Sequence, residues 1–104
     1  MVVWLKQFYC NFLNGRVELT EERLFHIQQR HPDVKPFVSK IPVVLTEPNL
    51  IRQKNDILLF SLHFNEIKKH IVVVVKTDYG RNFILTSYLT SKIRGGETLW
   101  SKGN

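Results

Sequence analysis

The chain has 104 residues, of which 43% are hydrophobic, and a formal charge of +6 from 15 Lys and Arg against 9 Asp and Glu. Residues 1–104 make one domain with a modest core and leave no room for a second. The single cysteine, Cys10, excludes an internal disulfide framework and a cysteine-based zinc site, and it is compatible with a reducing cytoplasm.

The basic excess points to an anionic partner, most simply nucleic acid, although many soluble domains are basic. No stretch approaches the roughly 20 apolar residues of a membrane span. The apolar start, 1–13, is interrupted by Lys6, Gln7 and Asn11. It lacks the basic start, long apolar centre and cleavage site of a signal peptide. A cytoplasmic protein without a membrane partner is therefore expected.

In chain order, residues 1–14 are the least legible. Val2-Val3-Trp4-Leu5 reads as a strand or a helix covering the core, and Asn14-Gly15 as a turn. Arg16-Val17-Glu18-Leu19 alternates polar and apolar, which predicts a short strand. A helix is predicted over Thr20–His31. Thr20 is its N-cap, Glu21 and Glu22 suit the positive end of its dipole, and Pro32 stops it.

Pro32–Pro36 is a connector. Phe37–Leu45 has helical apolar spacing, with a new helix starting near Pro42 and ending at Glu47-Pro48-Asn49. Strands are expected at Leu50–Gln53, Asp56–Asn65, His70–Thr77 and Phe83–Leu89. Thr77–Asn82 is a hairpin turn, and Gly95–Trp100 a flexible turn followed by an apolar anchor. Helices first and strands after favour an α+β fold, with the helices on one face of an antiparallel sheet.

Chemistry concentrates on the first helix. At about 100° per residue, Thr20, Leu24, Ile27 and His31 share a face, and Arg23, His26 and Arg30 lie on the flank beside it. An imidazole between two guanidiniums suits a phosphate-bearing substrate, while the plain reading of the same flank is a solvated surface. Further on, Thr86 and Tyr88 put two hydroxyls on one side of a strand together with Ile84. Lys76 and Arg81 are cations able to lean over a site. No His-x₃-His pair, Walker loop, GxGxxG or GxSxG occurs, so no metal and no cofactor is expected.

The sequence Gly15–Arg23, His26-Ile27 and Arg30-His31-Pro32 resembles the opening of a phage-associated nuclease family. Glu47–Ile51, the valine strand ending Val75-Lys76, Ile84–Tyr88, Gly95-Gly96 and Leu99-Trp100 follow in that family's order. The family is a branch of the barnase–EndoU–colicin–RelE-like superfamily of ribonucleases and toxins, and the resemblance covers residues 15–100. It implies N-terminal helices packed on a roughly four-stranded antiparallel sheet. It also implies metal-independent RNA cleavage by the RNA's own 2′-hydroxyl.

By the same resemblance His26 is the acid–base residue and His31 its alternate. The family's basic and hydroxyl positions fall on Lys76, Arg81, Thr86 and Tyr88, of which Lys76, Thr86 and Tyr88 complete the catalytic group; Arg81, with Arg23 and Arg30 from the helix flank, is expected to bind the nucleic acid. A protein antitoxin or inhibitor is a further partner of such toxins. The alternative reading is a non-catalytic module that uses the same basic face to bind RNA or a protein.

Overall fold

The computed structural model describes residues 5–103; Val2, Val3 and Trp4 lie outside them. The chain opens with an antiparallel pair, β1 (Leu5–Cys10) and β2 (Gly15–Thr20). Asn14 has a positive φ of 49° at their turn, a conformation that asparagine tolerates better than most residues. β2 runs straight into α1 (Glu21–Arg30). The Thr20 hydroxyl accepts the backbone N–H of Arg23 at 3.1 Å, so one orphan donor of the first turn is satisfied.

His31 ends α1, and Pro32–Lys40 forms a 3-10 helix where the sequence predicts a connector and the start of an apolar helical stretch. Pro36 lies inside it. A short helix, α2 (Ile41–Thr46), follows with Pro42 in its first turn, as expected.

The remaining strands are β3 (Leu50–Lys54), β4 (Ile57–Phe64), β5 (Lys69–Asp78), β6 (Arg81–Thr90) and β7 (Glu97–Ser101). β4, β5 and β6 form the predicted antiparallel meander. The hairpin between β5 and β6 turns on Tyr79 and Gly80, both at positive φ, the combination that suits a tight two-residue turn.

The fold is α+β, and among the described residues seven strands rather than about four form one sheet, in the order β1-β2-β6-β5-β4-β3-β7. Every described pairing is antiparallel except β2 with β6, which is parallel. The extra strands come from both ends of the chain. The N-terminal segment adds β1 beyond β2, and the tail crosses back to pair with β3 as β7. Gly95 and Gly96 make that return, both at positive φ. A Cβ on Gly96 would stand 2.8 Å from the Gln53 carbonyl oxygen, so only glycine fits there without a shift.

The main core joins the helices to one sheet face. Ile27, Val34, Ile41, Val44 and Leu45 pack with Phe60, Ile71, Val73, Val75 and Ile84. Cys10 is fully buried in this core, and burial pushes its thiol above the usual value, the mark of an inert structural cysteine. The opposite face carries a smaller cluster of Leu59, Val72 and Val74, with Leu85, Tyr88 and Ile93 against it.

A break in register decides which side chains of β6 face where. Val75 pairs with Ile84 but Val74 pairs with Thr86, so Leu85 is an extra residue in a β-bulge. Directly opposed residues share a face. Ile84 thus faces the main core with Val75, while Thr86 and Tyr88 project from the other face with Val74 and Val72. The expected common face of Ile84, Thr86 and Tyr88 is corrected: only the last two share it. Ser87, now on the core face, is fully buried and donates its hydroxyl to the Val72 carbonyl at 2.7 Å.

Candidate functional site

β2 and β6 pair only through Val17–Asn82 and Glu18–Phe83. Beyond that point β2 becomes α1, and the helix packs along β6. Ile27 anchors α1 in the core at 2% exposure. Between the helix and the strand lies a cleft of about 500 Å³, lined by Glu22, Arg23, His26, Ile27, Arg30, His31, Leu85 and Thr86. The bulge at Leu85 therefore shapes its strand wall.

Five of the expected site residues line this cleft: Arg23, His26, Arg30, His31 and Thr86. Tyr88 adjoins it through His31, their ring centres 5.8 Å apart and their planes tilted by 41°. Two expected members are elsewhere. The ammonium of Lys76 lies 3.5 Å from the carboxylate of Asp56 on the β3–β4 turn. The guanidinium of Arg81 grips the Glu18 carboxylate with two donors. Each cation is thus held by a carboxylate outside the cleft. The Arg81 pair holds the Glu18 carboxyl below its usual range and raises the guanidinium.

Glu22 is the charged residue of the cleft that was not among the expected site residues. Its Oε1 is 3.8 Å from His26 Nε2. The signal was available: residues four apart on a helix are neighbours, and Glu22 precedes His26 by four. Side-chain exposures of 52% for His26 and 86% for Glu22 leave the imidazole open to a ligand. Burial raises the Tyr88 hydroxyl above its usual value. At neutral pH it is a hydrogen-bond donor rather than a base.

The arrangement offers two guanidiniums for an anion, two imidazoles for proton transfer, and hydroxyls for positioning. In comparisons with protein-family models, curated proteins and solved structures, nothing matches the chain significantly. No helix among the described residues is long and apolar enough to cross a membrane.

Proposed function

We propose that the protein is an endoribonuclease of the barnase–EndoU–colicin–RelE-like kind, acting in the cleft between α1 and β6. The observation that carries this reading is the gathering of Arg23, His26, Arg30, His31 and Thr86 around one cavity. Arg23 and Arg30 hold the scissile phosphate and offset the charge that develops on it. One imidazole takes the proton from the 2′-hydroxyl, whose oxygen attacks phosphorus. The bond to the 5′-oxygen breaks, and that oxygen receives a proton from an acid. The products are a 2′,3′-cyclic phosphate and a 5′-hydroxyl.

Histidine suits both proton transfers, because imidazole ordinarily titrates near neutrality. His26 is assigned as the principal acid–base residue and His31 as its counterpart. Tyr88 positions His31 through their ring contact, and Thr86 offers a hydroxyl to the phosphate. Lys76 and Arg81 have no direct part, since each is engaged by a carboxylate away from the cleft. Members of this superfamily include toxins, so an antitoxin that occludes the cleft fits the same reading.

A second reading is a non-catalytic RNA-binding module. It is favoured by one observation: among the described residues no hydrogen bond fixes the tautomer of His26 or His31, and the nearest carboxylate to His26 is 3.8 Å away. Incubation in EDTA with an RNA oligonucleotide and its 2′-deoxy analogue separates the two. The ribonuclease cuts the first and spares the second. A binding module retains both intact.

A further inference from the structure

β4 and β5 pair without interruption from Ile57–Lys76 to Phe64–Lys69, and this register sets His63 opposite His70. Opposed residues project from the same face. Alternation from Val72 puts both on the face opposite the main core. Their ring centres are 4.8 Å apart at an interplanar angle of 66°. Neither residue lines the cleft. His63 is exposed, while His70 Nδ1 is buried and has no hydrogen-bond partner.

We infer that His63 and His70 form a two-imidazole site for a divalent transition-metal ion of the zinc, copper or nickel class. With metal–nitrogen bonds of about 2.1 Å at a near-tetrahedral angle, two ligating rings have centres about 5 Å apart. The observed centre-to-centre distance of 4.8 Å is of that size. A buried ring nitrogen without a hydrogen-bond partner, as at His70 Nδ1, is an exception that calls for an explanation, and ligation to an ion is one. Imidazole ligands without carboxylate or thiolate select zinc, copper or nickel over calcium or magnesium.

Among the described residues no group of three or more His, Cys, Asp and Glu side chains gathers around a single point. The site is thus a two-ligand chelate whose other positions open to water beside exposed His63. Binding there clamps β4 to β5 next to their turn, and so stabilises the folded state. Seven positions separate the two histidines in sequence, and only the strand register brings them together.

The test is calorimetric titration of the tag-free chain with zinc chloride at neutral pH. It compares wild type with His63→Ala, His70→Gln and the cleft variant His26→Ala/His31→Ala. One zinc per chain is expected in wild type and in the cleft variant. Affinity should fall at least about tenfold in either sheet variant. His63→Cys should restore zinc binding, which separates lost ligation from lost folding. With copper, electron paramagnetic resonance should register two coupled nitrogens in wild type and one fewer in His63→Ala. Absence of zinc binding, or wild-type affinity in His63→Ala, overturns the site. So does loss of binding in the cleft variant alone.

Discussion

His31, the residue that ends α1, rests its ring against that of Tyr88 on β6, with centres 5.8 Å apart. The contact ties the end of the helix to the strand wall of the cleft. Its value lies in the ring, since the Tyr88 hydroxyl makes no described hydrogen bond within the chain. Tyr88→Phe should therefore keep stability within about 1 kcal/mol of wild type. Tyr88→Ala should lose the pair contribution of about 0.5–1.5 kcal/mol and further buried area. Urea unfolding of the three proteins measures both.

Ile27 is the apolar anchor of α1. Ile27→Ala should cost about 2–5 kcal/mol, as for a buried aliphatic residue left as a cavity. Leu24, from the same predicted face, is only partly buried, so Leu24→Ala should cost less than Ile27→Ala. The same denaturation measurement ranks them. Equal or reversed losses would mean that the helix packs on a different face.

That helix was the most legible part of the chain. Thr20, the paired glutamates and Pro32 mark its ends by local chemistry, and its bounds follow. The valine-rich β5 was legible for a similar reason: a β-branched run needs both sheet faces covered. β1 and β7 were harder, because edge strands are specified by distant partners, β2 and β3, that local patterning does not reveal. The bulge at Leu85 was also hidden. One inserted residue reverses every face assignment after it, which separated Ile84 from Thr86 and Tyr88. Arg23, His26, Arg30 and His31 were found together because they share one helix and its cap. Lys76 and Arg81 were grouped with them by the family resemblance and as cations able to lean over the site, and in space Asp56 and Glu18 take them.

The Glu18–Arg81 pair sets a pH dependence. Glu18 is depressed below its ordinary value of 4.5 by Arg81, whose hydrogen bonds are the main cause. The folded state therefore binds fewer protons than the unfolded chain in the window just below that value. The stabilisation is fully present above pH 4.5 and is lost as pH falls through the lower folded value. Glu18→Gln should narrow the difference in stability between neutral and acidic pH. Parallel urea titrations at several pH values check the sign, and an unchanged acid slope would contradict it.

Arg23 and Arg30 should carry phosphate attraction. RNA affinity of the wild type should fall steeply with salt, and each alanine substitution that removes one phosphate contact should lower the logarithmic salt slope by about 1. Arg81→Ala should change the slope less, because its guanidinium is committed to Glu18. Fluorescence anisotropy across a salt series measures all three. Equal effects at Arg81 and Arg30 would place the RNA path outside the cleft.

The central claim rests on proton transfer at α1, and cleavage kinetics in EDTA test it most directly. Wild type, His26→Ala and His31→Ala are incubated with one RNA oligonucleotide, and the product ends are identified by mass. Wild type should yield a 2′,3′-cyclic phosphate. His26→Ala should cut about 10²–10⁴-fold more slowly, with binding far less affected because Arg23 and Arg30 remain. A large loss in His31→Ala alone would move the principal role along the same helix. Cleavage by both variants at the wild-type rate, or no cleavage by wild type at all, would contradict catalysis in this cleft.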